Sequence, residues 1–332
     1  MPKGKNPENI RRSRELSRSL AAKFDAPIME VLSSVWYAKC RAAKVDGVYR
    51  LGIGRTMQMV RDEPKKWRKR PETLRLYQDT NFALVGQSRG RDSLSFFPYN
   101  IARRVVGFYA ERGETVLDPC AGHNSRMQAV YEGGCHYIGY DVCHRFMVFN
   151  RKVRKKLLVH AKRAFVKNPS TITLREQTSE RMEEKDGSVD LVFTSPPYWD
   201  IEKYDDHPDQ LGVGKTYKQF LAGLSRVFGE AYRVLKPGRF FVLNVNDFRK
   251  NRHLYTYHAD VLPYLYRAGF TLHDLIIMVW DRNPLRACFP SVIVREKQVG
   301  RRHEYLIVLR KPEGGESAPE PKRKKKRRRA HG

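Results

Sequence analysis

Long apolar runs are missing from this chain of 332 residues. No stretch approaches the roughly 20 consecutive apolar residues of a membrane-spanning helix, and the opening MPKGKNPENIRRSRELSRSL lacks the apolar segment of a secretion signal. The reading is a soluble, intracellular protein with no membrane partner. Cysteine is scarce: Cys40, Cys120, Cys135, Cys143 and Cys288, an odd number without a CxxC pair. That pattern argues against a disulfide framework or a zinc ribbon and suits a reducing compartment. Cys135, His136, Cys143 and His144 fall at no spacing expected of a tetrahedral metal site, so no metal is expected. Acidic residues are also few, 36 against 64 Lys and Arg, giving a formal charge of +28. Such an excess concentrates phosphate-bearing partners and makes their binding salt-dependent. No long basic amphipathic helix is present to lie on a lipid surface, so nucleic acid is the expected partner. Internal repeats are absent as well, which excludes solenoids and propellers.

What is present is an ordinary hydrophobic fraction, 41%, enough for one sizeable α/β core. Residues 1–95 are basic and rich in helix formers. The segments PENIRRSRELSRSLAAKF and PIMEVLSSVWYAKCRAAKV repeat apolar positions at helical spacing, so a helical N-terminal region is expected there. From residue 96 the pattern becomes an alternation. IARRVVGFYAERG reads as a helix, TVLDP as a short buried strand, SRMQAVYEGG as a helix and HYIGYD as a strand. VFNRKVRKKLLVHAKRAF continues as a helix, TITLREQ and VDLVFTSPP as strands, and YKQFLAGLSRVFGEAYRVLKPG as a helix. RFFVLNV, TLHDLIIMVW and EYLIVLRK close the series as strands, with HADVLPYLYRAGF as a helix before the second of them. Alternation of this kind predicts an α/β, doubly wound, mostly parallel sheet covered on both faces. The last two strands have no helix between them and fit an antiparallel pair. Residues 312–332 turn to Pro, Gly, Ser and Glu followed by eight basic residues, a disordered tail by composition.

In such a sheet ligands sit beyond the carboxyl ends of the strands, where a glycine-containing turn lets the backbone come close. Asp118-Pro119-Cys120-Ala121-Gly122-His123-Asn124 has that form, and the next strand ends in Asp141, where a carboxylate can accept hydrogen bonds from a ribose. Spacing alone leaves a dinucleotide and S-adenosylmethionine both open. The segment DPCAGHNSRMQAVYEGGCHYIGYD, preceded by FFPY, resembles the cofactor motif of the amino-group DNA methyltransferases. That resemblance spans about residues 96–311. It implies the class I, seven-stranded methyltransferase fold and S-adenosyl-L-methionine as cofactor. Cys120, Ala121, Gly122 and Asn124 would then line the methionine and adenosine, Asp118 would sit beside the methionine, and Asp141 would hold the ribose. Asn124 stands where the family has a second glycine, which the left-handed tendency of Asn accommodates. Cys120 replaces a bulkier Phe, and Thr178, next to Gln177, stands where an acidic residue commonly binds the adenine.

The strand VDLVF runs into Ser195-Pro196-Pro197-Tyr198. Paired prolines fix two φ angles and remove two N–H donors, leaving carbonyl acceptors rigidly aimed. The loop resembles the catalytic loop of the same family, in which Ser at the first position is typical of N4-cytosine enzymes and Asp or Asn of N6-adenine enzymes. The implied chemistry is hydrogen bonding of an exocyclic amine by Ser195 Oγ and the Pro196 carbonyl, which frees the nitrogen lone pair for the methyl carbon. Duplex DNA with its target base flipped out is the implied partner, and Tyr198, then Trp199, the candidate stacking platform. No cysteine sits beside the prolines to attack a ring carbon. Asn244, Asn246 and Asp247 end a strand on the ligand side. The resemblance therefore points to a site-specific cytosine-N4 DNA methyltransferase, cytoplasmic and nucleoid-associated, of a prokaryote or virus and of the restriction–modification kind. N6-adenine methylation, amino methylation of RNA, and an inactive DNA-binding scaffold are the alternatives.

Overall fold

The computed structural model describes residues 34–38, 44–45, 48–49, 97–123, 125–163, 170–201, 204, 206–280, 297, 301 and 303–314. The rest of the 1–95 region, Asn124, most of residues 281–302 and the basic tail lie outside the described residues. The strands are β1 (Val35–Ala38), β2 (Lys44–Val45), β3 (Val48–Tyr49), β4 (Thr115–Asp118), β5 (His136–Tyr140), β6 (Ile172–Arg175) and β7 (Val189–Thr194). They continue with β8 (Leu235–Val245), β9 (Phe248–Lys250), β10 (His253–Tyr255), β11 (Thr271–Trp280) and β12 (His303–Arg310). The helices are α1 (Tyr99–Tyr109), α2 (Ser125–Glu132), α3 (His144–Arg163), α4 (Tyr217–Val234), α5 (Tyr257–Asp260) and α6 (Leu262–Ala268).

Eight strands form one sheet in the order β1-β11-β12-β8-β7-β4-β5-β6. Pairing is parallel from β8 through β7, β4 and β5 to β6, and antiparallel on both sides of β12. The order reverses at β4, which lies between β7 and β5, so the carboxyl ends of these strands open a crevice at a topological switch point. β7, VDLVFT, is buried throughout, as a central strand covered on both faces must be.

Successive strand residues feed opposite cores. Val116, Leu191, Phe193, Val242 and Val308 pack with α1, α2 and α3 on one face. Leu117, Val192, Phe241, Leu243 and Leu309 pack with α4 and α6 on the other. α4 begins at a capping box in which Thr216 Oγ1 accepts the Gln219 N–H and the Gln219 side chain accepts the Thr216 N–H. It ends at Val234 rather than running through LKPG, because Pro237 cannot continue a helix; residues 235–238 instead open β8.

The eighth strand is a departure from the expected seven. Val35–Ala38 lies inside a segment whose apolar spacing predicts helix, yet it pairs parallel to β11, Val35 opposite Ile277 and Ala38 opposite Trp280. Trp36 is buried against α1, with the Arg104 guanidinium 5.2 Å above its ring. The exposed edge of β11 supplies partners that local spacing cannot register, and tertiary pairing overrides a weak helical preference. β2 and β3 form a separate antiparallel pair, so the N-terminal region is not wholly helical.

Candidate active site

The carboxyl ends of β4, β5, β7 and β8 converge on a cleft of about 950 Å³, counted to its open mouth. At the end of β4 the chain turns through Gly122, whose φ of +47° is the left-handed conformation that glycine adopts without strain. The turn is held from four directions. Asp141 Oδ2 accepts the Gly122 N–H at 2.7 Å, and its Oδ1 accepts the Cys143 N–H at 2.8 Å. Asn150 Nδ2 donates to the Gly122 carbonyl at 2.8 Å. The Ala121 N–H donates to the Tyr140 carbonyl at 2.7 Å. Arg126, from the first turn of α2, donates to the Cys120 carbonyl at 2.6 Å and the Ala121 carbonyl at 3.2 Å.

Beneath the turn lies a fully buried carboxylate. Asp118 accepts from Arg126 Nε at 2.7 Å, Tyr137 Oη at 3.1 Å, Thr194 Oγ1 at 2.7 Å and the Cys120 N–H at 3.3 Å. A buried charge is tolerable when a counter-charge and several donors surround it, and the same residues tie the ends of β4, β5 and β7 together. Burial, with Asp118 and Asp141 nearby, raises the Cys120 thiol far above its usual range and keeps it protonated. A neutral thiol is a poor nucleophile.

The loop after β7 closes the other side of the cleft. Tyr257 Oη donates to the Pro197 carbonyl at 3.2 Å. Tyr198 lines the cleft and meets Tyr257 and Phe248 edge-on at 6.1 and 6.5 Å. Asn244, at the end of β8, donates one amide nitrogen to Ser195 Oγ at 3.3 Å and to Glu304 Oε2 at 2.8 Å. Trp280 Nε1 donates to Glu304 Oε1 at 2.9 Å. Trp199 has a φ of +51°, and its carbonyl passes so close to Gly212 that a Cβ there would stand 1.9 Å from it.

Of the residues nominated from sequence, Cys120, Gly122, Asp141, Thr178, Ser195, Pro196, Pro197 and Tyr198 all line this one cleft. Asp118 and Ala121 do not. Asp118 points under the turn because Arg126 and three further donors claim it, and Ala121 is packed below the surface. Asn124 lies outside the described residues. Trp199 is not available as a stacking face: its Nε1 donates to the Lys215 carbonyl at 2.7 Å, and Lys250, Tyr217 and Tyr255 surround its ring. Spacing gave no sign of Arg126, Trp280 or Glu304, which also line the cleft. Phe97 lines it too, edge-on to Phe193 at 5.3 Å. Among the described residues no helix is long and apolar enough to cross a membrane.

Residues 189–332 match the family model described as DNA methylase, which covers N6 and N4 methyltransferases. The chain is 26% identical over 176 residues to the Type II methyltransferase M.MthZI of Methanothermobacter thermautotrophicus, covering 47% of this chain and 49% of that protein. It is 43% identical over 61 residues to the Type II methyltransferase M.XycI of Xanthomonas campestris pv. cyanopsidis, covering 18% and 20%. The chain thus spans about half the length of the first relative and about a fifth of the second. A solved S-adenosylmethionine-dependent methyltransferase from Methanosarcina mazei aligns with a TM-score of 0.42 at 12% identity, over 66% of this chain and 99% of that one. With the sheet order, the turn after β4 and the Ser195-Pro196-Pro197-Tyr198 loop already in place, the match makes residues 189–332, less than half of the chain, similar to the DNA methylase family.

Proposed function

We propose that this chain transfers the methyl group of S-adenosyl-L-methionine to the exocyclic N4 of cytosine in double-stranded DNA, as the modification enzyme of a type II system. The observation that carries this is the union of two motifs in one cleft: Gly122 and Asp141 on one wall, Ser195-Pro196-Pro197-Tyr198 on the other.

The lining suits the cofactor. Asp141 is a half-buried carboxylate at a strand end, where ribose hydroxyls can donate to it, and its bonds to Gly122 and Cys143 fix its position. Gly122 and Cys120 would face the methionine part, and Thr178 with Gln177 the adenine. When bound, the sulfonium supplies an electrophilic methyl group.

The protein's own part is to prepare the nitrogen. The amine of cytosine or adenine is a weak nucleophile because its lone pair is delocalised into the ring. Ser195 Oγ and the Pro196 carbonyl would accept its two protons, favouring tetrahedral nitrogen and stabilising the positive charge that develops there. Such acceptors act best when fixed beforehand, and Asn244 and Tyr257 hold this loop. Tyr198 would replace the stacking lost when the base leaves the duplex. No covalent intermediate is required, in keeping with a protonated Cys120.

Ser195 favours cytosine over adenine by its resemblance to N4-cytosine loops. The basic stretches at 1–95, 282–301 and 312–332 would add phosphate contacts. Ser195→Ala tests the assignment. The expected result is a kcat lower by about 100-fold with cofactor affinity unchanged, as for loss of one preorganised hydrogen bond. Methyl transfer at the wild-type rate would remove Ser195 from the chemistry.

A further inference from the structure

Immediately beyond the carboxyl end of β8, on the side of the sheet where the cleft opens, β9 and β10 form a hairpin that is not part of the main sheet. Its eight residues, FRKNRHLY at 248–255, include three Lys or Arg and no Asp or Glu. The turn is tight: Asn251 and Arg252 have φ of +49° and +64°, the two left-handed residues of a turn that matches strand twist. The two faces differ sharply. Inward, Phe248 and Tyr255 stack at 5.2 Å, and Tyr255 packs on Trp199 of the catalytic loop at 5.4 Å. Outward, Arg249, Arg252 and His253 are exposed. Lys250 bridges the two elements, pairing with Asp200 and lying 4.1 Å above the Trp199 ring.

We propose that this hairpin is a DNA-docking element, with Arg249 and Arg252 contacting backbone phosphates beside the flipped base. The inference rests on the function proposed above for the cleft. Three features support it. The patch is cationic without acidic residues of its own, and phosphate contacts dominate nucleic-acid affinity. It stands at the ligand end of the sheet. Its aromatic underside is packed against the loop that carries Ser195, so a phosphate held by the hairpin is held at a fixed offset from the catalytic acceptors. Such contacts set register on the duplex without reading bases. Positioning of this kind is what a cleft needs if it is to receive one nucleotide from a long polymer.

The test is the salt dependence of affinity for a short duplex, comparing the wild-type protein with Arg249→Gln combined with Arg252→Asn. Asn is chosen because it tolerates the left-handed backbone at that position, and neither change touches the aromatic underside. The expected result is weaker binding at fixed salt and a plot of log affinity against log salt that is shallower by about two, roughly one for each lost phosphate contact. Cofactor affinity and melting temperature should be unchanged, and Arg249→Lys should keep the wild-type slope. An unchanged slope in the double variant would overturn the proposal. The two readings fail separately. If the wild-type protein methylates DNA and the slope does not move, the hairpin assignment falls and the activity stands. If the slope moves as expected but no methylated base forms, the hairpin stands as a DNA contact and the catalytic reading falls.

Discussion

One amide nitrogen of Asn244 reaches both Ser195 Oγ, at 3.3 Å, and Glu304 Oε2, at 2.8 Å. Because Glu304 also accepts from Trp280 Nε1, at 2.9 Å, a carboxylate at the far edge of β12 determines which end of the Asn244 amide faces the serine. An acceptor can face only the amide nitrogen, so Asn244 is fixed as a donor to Ser195. That leaves Ser195 Oγ with a remaining lone pair for an incoming amine and a hydroxyl proton free to turn elsewhere.

Glu304→Gln is expected to loosen this constraint, since a carboxamide can donate to Asn244 as well as accept. The predicted outcome is a kcat lower by about 10-fold, equivalent to roughly 1.4 kcal/mol, with little change in cofactor affinity. Steady-state kinetics alongside titration of the cofactor would check it. A matched loss of cofactor affinity would mean that Glu304 supports the other wall of the cleft instead.

Gly212→Ala should damage the proposed catalytic loop from a distance. A Cβ at that position would stand 1.9 Å from the Trp199 carbonyl, closer than any non-bonded contact allows, so the 195–200 segment must shift. Misplacement of about 1 Å in a catalytic group can cost on the order of 100-fold in rate. Measured kcat should fall by about that factor while the cofactor still binds. Wild-type kcat would show that the loop absorbs the change without moving Ser195.

Asp118→Asn should act on stability. It preserves shape but leaves the Arg126 guanidinium, buried with Asp118, without its counter-charge. Breaking a buried pair in this way typically costs about 3–5 kcal/mol, so calorimetry should show a melting temperature lower by roughly 10 °C. A melting temperature within a degree or two of wild type would mean that water or rearranged neighbours already solvate Arg126.

Much of this arrangement could be read from sequence because it is local. β4, β5 and β7 are short apolar runs ending in Asp118, Tyr140 and Thr194, and each is followed at once by the residues that line the cleft. Position after a buried strand is what gives Ser195-Pro196-Pro197-Tyr198 its meaning. Features that depend on distant partners were invisible. Val35–Ala38 has helical spacing and becomes a strand only because β11 offers an edge. Glu304 stands 60 positions from Asn244, and nothing near either residue signals that they meet. Asp118 illustrates a different limit. A carboxylate at a strand end is ligand-facing or buried according to whether other donors claim it, and here Arg126, Tyr137 and Thr194 do.

The proposed function has two parts: methylation of an exocyclic amine in this cleft, and cytosine as the owner of that amine. Incubation with duplex DNA and S-adenosylmethionine carrying a labelled methyl group, followed by digestion to nucleosides, tests it most directly. The expected result is label in N4-methylcytosine. Label in N6-methyladenine would contradict the cytosine assignment drawn from Ser195 and keep the amino chemistry, whereas label in 5-methylcytosine, only in RNA, or in no base would overturn the proposed function.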